Sequence, residues 1–404
     1  MGHQKKKCRT HQVNGTAIRY TKKPITSWGG LTVILGGFFE KIDFKAWVEA
    51  NVPIQERSNN GKGIYEKVLA TFLTVLSGGE RFSHVMWWNS GIAAIKPVFE
   101  VDWLPKAAST LTRFWNKISR QSLSEKLLHS GRTLAAEILE WEGISEGTLN
   151  FDSSVLTRYG DQDGAKKGYN PKKKGRSSHH PLLAFLGSGY IVNFWNRSGD
   201  TSSGQGVKGF LVQTLHILGE SFKVERVLCD SGFYLIELIT YLEKKCLSYI
   251  ISVPISPIIQ RQIEGIKQWE RVAYGIEVAE FEFEHFDRKW TKPRRYVVVR
   301  QEKTKRPKAL GKQPTLFKDL PELKDYRYSA MITNDHDSEP EEIWREYRPR
   351  AKDENVIKNL KYGYGFEAFN MNNFWATEAI LGMILLVLYN LVPVSYTHLT
   401  LPTN

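Results

Sequence analysis

The strongest constraint on this chain is a change of hydrophobic period at Thr148. From Ile64 to about Trp141 the apolar residues recur with the 3.6-residue period of amphipathic helices. IYEKVLATFLTVLSGGERF stops at Gly78-Gly79, and SEKLLHSGRTLAAEILEW forms a second such stretch. From Thr148 the pattern turns to β, with TLNFDSSVL, HPLLAFLG and YIVNFWNRSG in succession. A helix at 205–219 follows, then the strand VERVLCDSGF, the helix YLIELITYLEKK and the strand YIISVPI. Three strands followed by alternating helix and strand predict an α/β fold, a mixed sheet with helices on its faces. Such sheets place functional groups at strand ends.

Segment 254–333 interrupts this order with EVAEFEFEHF, RRYVVVRQE, a Pro/Lys-rich loop and YRYSAMIT, and reads as a β-rich insertion. The expected organisation is a basic segment 1–60, a helical DNA-binding region 61–145, a sheet domain 146–253, the insertion 254–335, closing helices 336–392 and a tail 393–404. With 404 residues and 41% hydrophobic content, the chain can bury two or three cores. Its longest apolar run, AILGMILLVLYNLV at 379–392, falls short of the ~18 to 20 residues that span a bilayer and reads as a buried core helix. No membrane partner is expected. The N-terminal MGHQKKKCRTHQ is basic but no apolar stretch follows it, which argues against a secretory signal.

The net charge is +13, and the excess is clustered in KKKCR at 5–9, AKKGYNPKKKGR at 165–176 and KTKRPKALGK at 303–312. Any one run is ordinarily a solvated loop. Three together, at a pI near 9.4 and with 12 Trp, point to a polyanionic partner, most simply nucleic acid, with Lys172, Lys173, Lys174 and Arg176 among the contacts. Cys8, Cys229 and Cys246 have no CxxC spacing and are odd in number, which disfavours a disulfide framework or a cysteine metal site and suits a reducing cytoplasm. Between the two helical stretches lies LPKAASTLTRFWNKIS. Here Ser109 or Thr110 can cap a short helix that presents Arg113 and Lys117, as a helix-turn-helix recognition element does. Ordinary bundle packing around Phe114 and Trp115 is the alternative.

Asp152 in NFDSSV and Asp230 in VLCDSGF are each the lone acid of an apolar strand, and each precedes Ser. A carboxylate at the end of a buried strand is costly without a cation or donors. Each Asp could instead start a turn by accepting from the next backbone amides. A third acid, Glu354, sits in YRPRAKDENVIKNLK. On a single helix Tyr347, Arg350, Glu354, Lys358 and Lys361 fall within about 80° of one another, forming either one functional face or one salt-bridged ladder. Three convergent carboxylates repel one another unless divalent metal neutralises them. Mg²⁺ suits oxygen ligands and retains waters that phosphate oxygens can replace, and two such ions clamp the attacking and leaving oxygens of a phosphoryl displacement. On this reading Glu354 is the third ligand, while Arg350, Lys358 and Lys361 face DNA phosphates.

NFDSS, LCDSGFY and the Y-(2)-R-(3)-E-(6)-K spacing of Tyr347, Arg350, Glu354 and Lys361 together resemble the DDE transposases of bacterial insertion sequences. The resemblance is to the group with a Y-R-E-K signature and a β-strand insertion before the glutamate. It covers about 60–392, including LSGGERF and GYNPKKKGRSSHHPLLAFLG. It implies a ribonuclease-H-like catalytic domain carrying Asp152, Asp230 and Glu354 with Mg²⁺ or Mn²⁺, double-stranded DNA as partner, a homodimer on that DNA, and a nucleoid-associated cytoplasmic location. The resemblance also implies that Tyr347, Arg350 and Lys361 touch phosphates near the cut. It further suggests that an aromatic of the insertion stacks on a flipped base, with Trp290 the candidate against a core or loop role. Val394 to Thr403, VSYTHLTLPT, resembles the translation of a sequencing-library adapter. The natural protein is therefore expected to continue beyond about Val392, with any C-terminal dimerisation segment missing. An inactive DNA-binding relic, or a nuclease of the same fold without strand transfer, are the competing functions.

Overall fold

The structure, a computed structural model, describes residues 10–13, 16–19, 35–55, 63–88, 92–285, 290–303 and 326–399, with the backbone alone at 10–13, 16–19, 94, 351–354 and 396–399. The basic run at 5–9 and all but Lys303 of that at 303–312 lie outside the described residues.

The helical region comprises α1 (Phe44–Asn51), α2 (Ile64–Leu76), α3 (Ile92–Val98), α4 (Ala108–Trp115) and α5 (Gln121–Trp141). Most of α2 is buried, so its two threonines must satisfy their hydroxyls internally. Thr71 and Thr74 donate to carbonyls one turn back at 2.9 and 2.7 Å, and accept from the indoles of Trp115 and Trp88 at 3.0 and 3.2 Å. The helix ends where the sequence predicts, with Gly78 at φ 76° just beyond it. In α4 the cap is Ala107, with no side-chain cap bond; the Ser109 hydroxyl and carbonyl accept from Arg113 instead. Leu111, Phe114 and Trp115 are buried while Arg113 and Lys117 are exposed.

The sheet follows in chain order: β1 (Glu146–Ser153), β2 (Leu182–Leu186), β3 (Ile191–Trp195), α6 (Val207–Leu218), β4 (Lys223–Cys229), α7 (Ile236–Lys244) and β5 (Tyr249–Val253). Then come α8 (Pro257–Glu264), β6 (Glu270–Ala273), β7 (Ile276–Phe283), β8 (Arg294–Glu302) and β9 (Tyr326–Thr333). The nine strands form one mixed sheet in the order β6-β7-β8-β9-β5-β4-β1-β2-β3. β1, β4 and β5 are mutually parallel and the other pairings are antiparallel. A smaller sheet joins the short segments Leu156–Thr157, Lys166–Lys167 and Ser177–His179.

Two features go beyond the sequence reading. The strands of the β-rich insertion at 254–333 add to the main sheet. β9 pairs with β5 from Ile250↔Thr333 to Val253↔Ala330, covering an edge that would otherwise expose unpaired backbone groups. Within the segment, α8 was not foreseen, although Pro257 in its first turn after Ser256 is a start signal. Second, the stretch 347–361 is not one helix. α9 (Pro340–Tyr347) gives way to a 3₁₀ turn over Arg348–Lys352 before α10 (Asp353–Gly363), because Pro349 lacks the N–H and carries the ring that a continuous helix cannot accommodate. The chain then runs through α11 (Phe374–Gly382), a π-helical stretch Met383–Tyr389 and α12 (Asn390–Leu399). Phe374–Ser395 is long and apolar enough to cross a membrane, but most of it is buried, and it packs on α5 and β3.

Candidate active site

β1 and β4 run parallel with Phe151 opposite Cys229, so the next residues, Asp152 and Asp230, stand side by side at the same end of neighbouring central strands. Phe151 and Cys229 are fully buried and both acids are half-buried, as expected where a packed strand emerges at a sheet edge. Each carboxylate also accepts from a backbone amide just after it. Asp152 Oδ1 accepts from the Ser153 N–H at 2.7 Å, and Asp230 Oδ1 accepts from the Gly232 N–H at 2.8 Å. The turn-forming reading therefore holds at Asp230, which caps the 3₁₀ turn Ser231–Phe233, whereas Asp152 lies within β1. A Cβ at Gly232 would lie 2.8 Å from Ser203 Cβ and 3.0 Å from Asp230 Oδ1, so a side chain there would displace the Asp230 turn.

Tyr347 and Arg350 meet the strands from behind the acids. The Tyr347 hydroxyl donates to the Cys229 carbonyl at 3.1 Å, and Arg350 Nη2 donates to the Phe151 carbonyl at 3.0 Å. Each therefore holds the residue immediately before one of the two Asp. Arg350 also lies 3.9 Å from Asp152 Oδ1, and its Nη1 donates to the Tyr347 hydroxyl at 3.5 Å. Burial opposes its charge, but Tyr347, Asp152 and Asp230 outweigh that and raise its pKa, while burial raises the pKa of the Tyr347 phenol. With its side chain 13% exposed, Arg350 faces the strand ends more than solvent.

Lys361 reaches the same edge from α10. Its Nζ donates to the Val155 carbonyl at 3.2 Å and lies 3.8 Å from Glu367, and burial lowers its pKa. Arg350 and Lys361 thus anchor both ends of the segment that contains residue 354 beside the end of β1. The side chain of Glu354 lies outside the described residues. Among the described residues no three His, Cys, Asp or Glu gather to hold a metal ion. Asp152 and Asp230 nevertheless present two hard oxygen donors at one edge, a donor set that fits Mg²⁺ or Mn²⁺.

Lys358 is exposed on α10, and Lys172, Lys173, Lys174 and Arg176 are exposed on the loop before Ser177. Lys173 and Arg176 place their cations 4.7 and 5.9 Å from the Tyr159 ring. Arg113 and Lys117 belong to the surface of the helical region, where α4 packs with α2 and α11. Trp290 is a correction to the base-stacking assignment. It is 3% exposed, 5.1 Å from Tyr234, 5.8 Å from His285 and 4.8 Å from the Arg294 guanidinium, so the protein's own side chains cover it and the core role matches its position.

One histidine that the sequence reading left unassigned, His180, bonds Ser153 beside the acids. The Thr201 carbonyl can only accept, so His180 Nδ1–H donates to it at 2.6 Å; in the neutral ring Nε2 then accepts from Ser153 Oγ at 3.2 Å. Ser153 Oγ is in turn 3.0 Å from Ser203 Oγ, which gives a hydroxyl chain beside the acids. Burial, followed by Arg197, lowers the His180 pKa against the pull of the Thr201 carbonyl and Asp230. The available signal was SSHH immediately before the buried run PLLAFL.

A family model described as transposase DDE domain group 1 matches residues 105–397, more than half of the chain. Two solved structures are similar. The cryo-EM structure of a piggyBac transposase synaptic complex with hairpin DNA matches at 12% identity and TM-score 0.41, covering 93% of this chain and 82% of that one. The crystal structure of the Mos1 strand transfer complex matches at 13% identity and TM-score 0.18, covering 58% and 79% respectively. Among curated proteins, no sequence matches.

Proposed function

The chain belongs to the DDE transposases, and from that premise we propose that it binds the ends of an insertion sequence, cleaves them by metal-dependent phosphoryl transfer and joins the freed 3′-hydroxyls to target DNA. The observation that carries this reading is the placement of Asp152 and Asp230 side by side on adjoining parallel strands, with Arg350 and Lys361 fastened to the same edge. Three successive strands followed by two parallel ones support a ribonuclease-H-like core.

In this proposal Asp152, Asp230 and Glu354 hold Mg²⁺ or Mn²⁺, which when bound neutralises the carboxylates and stabilises charge on the attacking and leaving oxygens. Arg350 and Tyr347 fix the two Asp-bearing strand ends, and Arg350 and Lys361 add positive charge beside the scissile phosphate. Lys358 and the exposed Lys172, Lys173, Lys174 and Arg176 bind backbone phosphates of the DNA, and Arg113 and Lys117 extend that surface onto the helical region. Two chains act together, one on each end of the element.

The test is cleavage of DNA flanking the protein's own gene by Asp152→Asn, Asp230→Asn and Glu354→Gln. Asn and Gln keep size and hydrogen bonding but remove the charge that holds a hard cation. Each variant is expected to bind the ends normally and to cut at least a hundredfold more slowly, roughly 2.7 kcal/mol. Near-normal cutting by Glu354→Gln would remove Glu354 from the site, and near-normal cutting by all three would overturn the reading.

A further inference from the structure

We propose that the cleft where the Arg81–Phe82 turn, the Thr157–Tyr159 segment and the Lys361–Asn370 segment meet binds a backbone phosphate of the DNA strand being cut. The proposal rests on the transposase reading above and adds a site for the strand on one side of the Asp152–Asp230 pair. The cleft has a volume of about 600 Å³, within the ~300 to 1,000 Å³ range of small-ligand sites.

Its defining group is Arg158, only 2% exposed. Nη1 donates to the Glu367 carbonyl at 2.6 Å and Nε to His179 Nδ1 at 3.3 Å, while Nη2 is a buried donor with no partner. The ring of His179 is neutral, because its Nε2–H donates to the Asp163 carbonyl at 2.9 Å and burial followed by Arg158 pushes its pKa down to about 4. Both acceptors of the guanidinium are therefore uncharged. The Glu367 carboxylate attracts Arg158, but it is held 3.8 Å from Lys361. A buried cation with an orphan donor is costly, and a phosphate in the cleft that Arg158 lines supplies the missing negative charge.

The rim suits the same ligand. Arg81, Lys173 and Lys361 join Arg158 in lining the cleft, so four cations face the carboxylates of Glu80 and Glu367. Tyr159 and Tyr362 are 67% and 78% exposed there, open to contact with a sugar or base. The cleft lies a short length of chain from Asp152. Arg158 follows Asp152 by six residues, at most about 20 Å of chain, and Lys361 is bonded to Val155 between them. At about 3.4 Å per nucleotide along a strand, the phosphate held here lies within roughly six nucleotides of the cut.

The experiment measures binding of the full chain to a labelled duplex with a single-stranded 3′ tail, by fluorescence anisotropy across a salt series. Arg81→Ala combined with Tyr362→Ala is expected to weaken binding about tenfold and to reduce the slope of log affinity against log salt by about one contact. Arg158→Gln should do the same; both substitutions of the rim pair are on exposed side chains, so the test stands even if Arg158→Gln fails to fold. Inorganic phosphate or a free deoxynucleoside monophosphate should compete only weakly. Unchanged affinity and slope in the rim double variant would overturn the proposal, as would equally tight binding of the free nucleotide, which would make the cleft a small-molecule site. Failure of the transposase reading itself registers elsewhere, as cutting that survives in all three of Asp152→Asn, Asp230→Asn and Glu354→Gln.

Discussion

Tyr347 and Arg350 are two residues of one motif whose targets turn out to be backbone atoms. The resemblance implies phosphate contacts for both, whereas their hydroxyl and guanidinium are bonded to the Cys229 and Phe151 carbonyls. This arrangement makes Arg350 a positioning residue for the Asp pair as well as a source of charge. Replacing it with Lys keeps the charge but loses the fork that spans Phe151 O and the Tyr347 hydroxyl. Arg350→Lys is therefore expected to cut about tenfold more slowly, near 1.4 kcal/mol, and to bind end DNA within about threefold of the parent. Parallel cleavage and binding measurements decide it: an equal loss in both would assign Arg350 to the phosphates alone.

At the level of elements, the apolar helix near the C-terminus carries one acid where its length and composition call for none. Glu378 on α11 is buried, with Oε2 accepting from Ser124 on α5 at 2.7 Å and Oε1 accepting from the Asn196 N–H after β3 at 3.2 Å. It thus ties two helices to the sheet. Burial pushes its pKa up to about 7, against the pull of those two hydrogen bonds. Since the folded value exceeds the ordinary 4.5, the native state holds a proton that the unfolded chain has released between those pH values. The stabilising contribution is complete below about 4.5 and is lost as pH rises through about 7, a span on the order of 3 kcal/mol. Urea titrations at pH 5, 6, 7 and 8 should show Glu378→Gln with a flatter dependence and a stability gain above about pH 7; identical slopes in parent and variant would contradict this.

On the scale of the whole molecule, the main sheet joins the strands that carry Asp152 and Asp230 to the segment that interrupts them. β4 carries Asp230 at its end, β5 pairs with β4, and β9 of the interrupting segment pairs with β5. Arg295 on β8 donates to the carbonyls of Asp335 and Ser338 at 2.8 and 2.7 Å, and Arg226 on β4 bonds Asp335 and Glu346, so the same strands seat α9 and its Tyr347. Excising 254–335 would strip β5 of a partner and leave α9 without its support. The excised protein is expected to lose its cooperative thermal transition by calorimetry and circular dichroism; a sharp transition close to the parental temperature would mean that the segment is a dispensable insertion.

The sequence by itself determined what depends on neighbours along the chain. The 3.6-residue period gave away α2 and α5, the run of apolar strands predicted β1 to β5, and Pro349 carried a helix break that a uniform turn angle ignores. Lone acids in apolar strands are a local anomaly too, and so Asp152 and Asp230 were legible before any fold was known. Only the tertiary structure decided which way such groups face. Whether Arg350 meets a phosphate or a carbonyl, whether Trp290 is open or covered, and where the four strands of residues 254–333 join the sheet all turn on contacts between segments far apart in the chain. Arg158 is the sharpest case. In the sequence it is one more cation in a basic protein, and its cost and its opportunity arise from burial, which local patterning does not encode.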